Sequence, residues 1–272
     1  MIQKTTFYKM TGGGNDFILI PDFEEQIPEG TLSELSRKIC QRRLSVGADG
    51  LILLKPSPTA HFRWLFFNAD GSEAEMCGNG GRCAARLAHM LGKAPPVLVF
   101  ETKVGPVRAE VNGRNVKITL PPPRDMNRGL RIRIPDGELE LDFINTGVPH
   151  AVIFVDDIEG VDVTRIGRAV RWHEAFKPDG TNVDFVKVHR GELLVRTYER
   201  GVEEETLACG TGAIASALIA HLKGLVSSPT RVITRGGEPL TVHYRLQGGF
   251  FGEVALEGEV RLVYKGHLEE AI

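Results

Sequence analysis

A 272-residue chain with 33 Lys plus Arg against 35 Asp plus Glu is nearly neutral, which excludes a long-range field drawing nucleic acid or an anionic membrane to the whole molecule. A hydrophobic fraction of 42% and a charged fraction of 25% exclude disorder and supply apolar material for one large domain or two ordinary ones. A small molecule is the expected partner.

In chain order, the opening segment MIQKTTFYKMTGGGNDF lacks the apolar core of a signal peptide, and no apolar run approaches the roughly 20 residues that span a bilayer. A cytoplasmic protein with no membrane partner is expected. Apolar runs bounded by Gly, Pro or Asp predict short strands at Leu51–Leu54, Val97–Phe100 and Val152–Val155. The segment Pro121-Pro122-Pro123-Arg124-Asp125 can neither supply ladder donors nor continue a helix, and it marks a junction between two lobes, 1–120 and 121–261.

The sequence also repeats itself, which constrains the architecture before any motif does. Trp64–Asn68, an acidic loop through Glu73 and Glu75, Cys77-Gly78-Asn79-Gly80 and a helical stretch to Gly92 match a second run. That second run is Val195–Glu199, an acidic loop through Glu203–Glu205, Cys209-Gly210-Thr211-Gly212 and a helical stretch to Gly224. Upstream, Asn15-Asp16-Phe17-Ile18 resembles Asn182-Val183-Asp184-Phe185-Val186, although the distances to the following cysteine differ. Ala213–Leu222 is nearly free of polar side chains, so this helix must be buried on all sides, and strands wrapped around a central helix would do that.

Each of Cys77 and Cys209 precedes a Gly-x-Gly segment that opens a helix, so its sulfur meets backbone N–H groups with no intrahelical partner. Such a place favours the thiolate, the form that acts as a base, and the glycines open the backbone to a carboxylate. Inverting a stereocentre beside a carboxylate needs a base on one face of the carbon and an acid on the other. Two equivalent thiols meet that need, and helix N-termini can stabilise the charge that develops on the carboxylate.

Other readings of the cysteines are weaker. Cys77 and Cys83 lie six residues apart, roughly 240° around a helix and about 9 Å along it, which suits neither zinc nor a disulfide. Cys83 and Cys40 are read as packing residues. Gly12-Gly13-Gly14 and Gly78-Asn79-Gly80-Gly81 do not complete a nucleotide-binding loop. A thiol-dependent peroxidase remains a rival from another class, although it has no need of duplicated glycine-rich anion sites.

Several segments in register resemble the diaminopimelate epimerase family: Gly14-Asn15-Asp16-Phe17, Asn68-Ala69-Asp70-Gly71-Ser72, Met76–Arg82, Gly147-Val148-Pro149-His150, Thr181–Phe185, Tyr198-Glu199-Arg200-Gly201 and Thr206–Gly212. The resemblance covers essentially the whole chain. It implies an α+β fold of two similar lobes, each a β-barrel-like sheet around a central helix, related by duplication, with the active site between them. The N-terminal lobe would be completed by a returning C-terminal strand, 262–272.

The implied activity is the conversion of LL-2,6-diaminoheptanedioate to its meso form in lysine and peptidoglycan precursor synthesis, with neither pyridoxal phosphate nor metal. A homodimer is also implied. Cys77 and Cys209 would be the acid/base pair, with His150 and Glu199 supporting them and orienting the reacting amine. Gly78, Asn79, Gly210 and Thr211 would hold the reacting carboxylate, while Asn15, Asn68, Asn182, Glu199 and Arg200 would hold the distal head. Val148 and Gly50 stand where some members carry Asn and Gln, which leaves the distal carboxylate with fewer donors. A proline-type racemase of the same superfamily is the nearest alternative. His89 and His221 are read as helix-end residues.

Overall fold

The structure, a computed structural model, describes residues 5–269, so the outermost residues of the expected lobes, 1–4 and 270–272, lie outside it. The chain divides into two compact units, the first Met1–Thr119 with Gly258–Ile272 and the second Leu120–Glu257.

The first unit contains β1 (Thr5–Gly12), β2 (Asn15–Pro21), α1 (Leu32–Ile39), β3 (Gly50–Lys55), β4 (Phe62–Asn68), α2 (Gly78–Met90), β5 (Val97–Thr102), β6 (Gly105–Asn112) and β7 (Asn115–Thr119). The strands lie side by side in that order, and the predicted runs at 51–54 and 97–100 fall in β3 and β5. The pairs β2–β3 and β4–β5 are parallel and the other pairs of this run antiparallel.

Every residue of β3 is buried, because the strand is covered on both faces and so reads as one hydrophobic run. Leu51 and Leu53 join Ile18, Ile20 and the apolar stripe of α1, Leu32, Leu35 and Ile39. On the other face Ile52 lies against α2, where a Cβ added to Gly80 would come 3.0 Å from its Cδ1.

The second unit contains β8 (Arg124–Ile134), β9 (Gly137–Asn145), β10 (Pro149–Phe154), α3 (Val163–Arg171), β11 (Asn182–His189), β12 (Glu192–Glu199), β13 (Glu204–Thr206), α4 (Gly210–Leu222), β14 (Thr230–Thr234), β15 (Pro239–Gln247) and the start of β16 (Phe250–Leu268). Its sheet order is β8-β9-β10-β11-β12-β14-β15, with β13 paired to β12. The pairs β10–β11 and β12–β14 are parallel, repeating the pattern of the first unit. Val183 and Phe185 pack with Val163 and Val170 of α3.

The helix expected at 213–222, nearly free of polar side chains, is α4, with Gly212–Ala220 buried throughout. At about 1.5–3 kcal/mol for each fully buried large aliphatic side chain, Ile214, Leu218 and Ile219 make it a main anchor of its unit. The rest of β16 belongs to the first unit and pairs antiparallel with β1, from Gly12↔Val260 to Thr5↔Leu268.

Strand pairing corrects one part of the repeat. In each unit a strand and then a loop precede the cysteine that starts the central helix, β4 in one and β12, followed by the short β13, in the other. Ile52 stands opposite Phe66 across β3–β4, and Asp184 opposite Thr197 across β11–β12. Phe17 pairs with Gly50 across the parallel β2–β3, and His150 with Asn182 across β10–β11. The counterpart of Asp184 is therefore Ile52, that of Thr197 is Phe66, that of Asn182 is Gly50 and that of His150 is Phe17. The resemblance of Asn15-Asp16-Phe17-Ile18 to Asn182–Val186 is not a structural equivalence, since β2 corresponds to β10 and β11 to β3.

Candidate active site

In the first unit Cys77 is the N-cap of α2, with extended backbone (φ −148°, ψ 117°), and its Sγ accepts the Gly80 N–H at 3.4 Å. A cysteine with this backbone starts the helix while its sulfur stays over the first turn, among donors that the helix leaves unused. The next side chain, Asn79, is buried and held at both ends. Its Nδ2 donates to Asn15 Oδ1 at 2.8 Å and to the Gly13 carbonyl at 3.1 Å, while Arg82 Nη2 donates to its Oδ1 at 2.7 Å. Asn15 Nδ2 in turn donates to Asp49 Oδ2 at 2.9 Å.

Beyond Asp49 the network becomes ionic. Arg42 bridges Asp49 at 2.8 Å and Asp16 at 2.5 Å, and buried Lys9 reaches Asp16 at 2.5 Å and the Gly47 carbonyl. Burial works to raise the Asp16 pKa, yet hydrogen bonds and charge from Arg42 and Lys9 hold it below the ordinary carboxylate value. Asn15 is thus fixed from two sides. Asn68 is placed differently: it ends β4 opposite Gly50, is exposed, and turns its Nδ2 to Ser72 Oγ at 3.0 Å.

In the second unit Cys209 is the N-cap of α4, again extended (φ −123°, ψ 110°). Its Sγ lies 3.4 Å from Thr211 Oγ1, and Thr211 Oγ1 lies 3.0 Å from His150 Nε2. His150 Nδ1 is 2.7 Å from Asp184 Oδ2, with both side chains fully buried. Thr197 donates to the other Asp184 oxygen at 2.7 Å. Asn182 accepts the Arg200 N–H at 2.8 Å and donates to the Pro149 carbonyl at 3.0 Å. Arg200 itself is half-buried and reaches the Asp179 carbonyl at 3.3 Å, and Glu199 ends β12 beside β13.

The helix N-terminus does not make Cys209 an easy thiolate. Burial pushes its thiol well above the ordinary value, and the negative charges of Glu199 and Asp184 push the same way. The Thr211 hydroxyl and the Gly212 N–H oppose them and lose, because removing a charge from water outweighs two hydrogen bonds here. The expectation of a favoured thiolate is therefore overturned at this position. Cys40 and Cys83 are buried, as their packing role requires, and burial also raises the Cys40 thiol despite a hydrogen bond from Ser36.

His89 and His221 each set Nδ1 at 3.1 Å from a carbonyl five residues on, those of Ala94 and Val226, which closes equivalent helix ends. Cys77, Asn79 and Asn15 thus assemble around one helix start, and Cys209, Thr211 and His150 around the other. Asp184, Thr197, Asp49 and Arg82 were not among the expected site residues. An Asp between Val183 and Phe185 in a largely apolar strand, inside the family-like segment Thr181–Phe185, was a signal that could have pointed to Asp184.

A strand-wrapped helix starting on a cysteine, present twice, defines a duplicated barrel-and-helix protein. The same fold occurs in a Bacillus anthracis phenazine biosynthesis protein of the PhzF family, at 15% identity and TM-score 0.75 over 98% of this chain and 99% of that one. It occurs also in a hydroxyproline epimerase from Agrobacterium vitis, at 17% identity and TM-score 0.71 over 99% and 94%. A model of the family described as diaminopimelate epimerase matches residues 7–123 and 143–261. The diaminopimelate epimerase of Aquifex aeolicus is 49% identical over 98% of both chains, and that of a Hydrogenobaculum species 44% identical over 97% of this chain and 98% of its own. The chain belongs to the diaminopimelate epimerase family.

Proposed function

We propose that the protein is a cofactor-independent epimerase converting LL-2,6-diaminoheptanedioate to the meso form, with Cys77 and Cys209 as its acid/base pair. The observation that carries this reading is the matched pair of cysteine N-caps on α2 and α4, each on a Gly-rich first turn. One thiolate takes the α-proton and one thiol returns a proton to the opposite face of the same carbon. The substrate carboxylate gains charge as the proton leaves, and the N–H groups that open each helix suit that charge.

The remaining residues take graded roles in this reading. Asn79 and Thr211, with Gly78 and Gly210, hold the reacting carboxylate, and Asn15, already fixed by Asp49, offers a preset amide to the distal head. Arg200 pairs with the distal carboxylate, Glu199 with an ammonium, and Asn68 and Asn182 complete the set. His150 supports Cys209 through Thr211. The substrate is a small molecule, and we assign the protein to the cytoplasm as a homodimer. In support, no helix of the described residues is long and apolar enough to cross a membrane.

Incubation with LL-2,6-diaminoheptanedioate in deuterated water tests the reading, with α-deuterium and meso product expected together. Absence of both would end it. Racemisation of proline or hydroxyproline in the same panel, with diaminoheptanedioate untouched, would replace it with the single-headed alternative. Sedimentation velocity tests the dimer.

A further inference from the structure

At the start of α4 the second unit buries a polar trio, His150, Asp184 and Thr197, with exposures of 0%, 0% and 3%. At the start of α2 the same three backbone positions hold Phe17, Ile52 and Phe66, also buried, the two rings 5.9 Å apart edge to face. The equivalence extends to the helix glycines. A Cβ on Gly80 would meet Ile52, and a Cβ on Gly212 would lie 2.3 Å from Asp184 Oδ1 and 3.3 Å from Thr197 Oγ1. Hydrocarbon therefore fits this place in the fold. A buried carboxylate, imidazole and hydroxyl cost desolvation that hydrocarbon does not, so packing alone gives no reason for the trio.

We infer that Asp184, seconded by Thr197, is a positioning residue that holds His150 as the terminal proton acceptor of a relay from Cys209 through Thr211. This deepens the epimerase reading above and rests on it. With Asp184 ionised and His150 neutral, the hydrogen bonds take one polarity. An ionised Asp184 only accepts, so Oδ1 takes the Thr197 hydroxyl proton and Oδ2 takes His150 Nδ1–H. That leaves His150 Nε2 with a lone pair facing the Thr211 hydroxyl 3.0 Å away, and Thr211 Oγ1 then accepts Cys209 S–H at 3.4 Å.

When the thiol ionises, its proton moves to Thr211 Oγ1 as the Thr211 proton moves to His150 Nε2. The result is a thiolate and an imidazolium beside the Asp184 carboxylate. One S–H bond breaks and one N–H bond forms, the Thr211 O–H is exchanged, and net charge is conserved. A thiol that burial holds protonated in this way gains a route to its base form without solvent. The hydrocarbon at the α2 start gives Cys77 no such relay from those three positions.

Asp184→Asn tests the assignment with little change in size. An Asn amide donating to His150 Nδ1 moves the imidazole proton to Nε2, which can then no longer accept. With LL-2,6-diaminoheptanedioate the expected result is a kcat loss of about 100-fold with KM within about twofold of wild type. On a His150→Asn background the same change should cost almost nothing further, since the two residues act as one unit. Losses that multiply, a full wild-type rate, or a raised KM at unchanged kcat would overturn the proposal.

A second readout needs no substrate: iodoacetamide labelling of Cys209 followed by peptide mass spectrometry. Were Asp184 only a negative neighbour, removing its charge would speed labelling. The relay predicts slower labelling of Cys209 with Cys77 unchanged. Should Asp184→Asn not fold, Thr197→Val, which removes one hydrogen bond to Asp184, should slow labelling and kcat in the same sense, and an unchanged rate in both would overturn the proposal. A wild-type enzyme inactive on diaminoheptanedioate would instead sink the epimerase reading, while the labelling still decides on the relay.

Discussion

The two helix starts share a backbone plan and differ in what lies beneath it. Under Cys77 the sheet presents Phe17, Ile52 and Phe66, and the polar contacts are displaced to Asn79, which ties to Asn15 and Arg82. Under Cys209 the sheet presents His150, Asp184 and Thr197, and Thr211 connects them to the sulfur. Duplication thus preserved the cap and the glycines while the side chains around them diverged. One start fixes an amide side chain between two partners. The other secures a hydrogen-bonded connection to the thiol.

The largest effect should come from the feature the two starts share. Cys77→Ala and Cys209→Ala are each expected to lower kcat by at least about 1,000-fold, measured by conversion of LL-2,6-diaminoheptanedioate to the meso form, because in the proposed mechanism each removes the proton carrier of one face. A variant retaining a tenth of the rate would break the pairing. Arg200→Ala sits outside the cysteine pair and should raise KM by about 10- to 100-fold, the value of a charge-assisted bond to a carboxylate, with a smaller effect on kcat. Substrate saturation curves decide that.

Ile52→Ala probes the hydrocarbon side and should cost about 2–5 kcal/mol of stability in denaturant unfolding, since the strand and α2 enclose the cavity it leaves. Labelling at neutral pH should reach half-buried Cys77 before buried Cys209, as peptide mass spectrometry would show. Equal rates would remove the asymmetry between the two thiols.

The smallest expected effect is on stability at alkaline pH. The Cys209 pKa is raised in the folded protein, so its protonated form favours folding. That contribution is complete below the unfolded thiol value of about 8.5 and is lost as pH rises towards the folded value. Cys209→Ser should flatten the fall in melting temperature between neutral and alkaline buffers.

Much of this was legible in the sequence. The paired Cys-Gly-x-Gly starts, the apolar length of α4 and the strand runs at β3, β5 and β10 are local patterns, and local patterns survive folding. What misled was also local. Asn15-Asp16-Phe17 and Asn182–Phe185 share letters, but the partner strand decides equivalence, and β2 lies beside β3 as β10 lies beside β11. The expectation of a ready thiolate at Cys209 counted the helix end and not the burial, which depends on everything packed around α4. Asp184 gave a faint signal as a charge in an apolar strand. Its meaning required His150, 34 positions away, and a parallel pairing that no spacing reveals.

One strand has a consequence for the order of events during synthesis. The first unit is not finished by its own first 119 residues, because β1, paired with β2 on one edge, takes its second antiparallel partner from the far end of β16, Thr5 against Leu268. A growing chain can pair β8 to β15 of the second unit while one edge of β1 still lacks its partner. The unit that begins the chain is therefore the last to be completed.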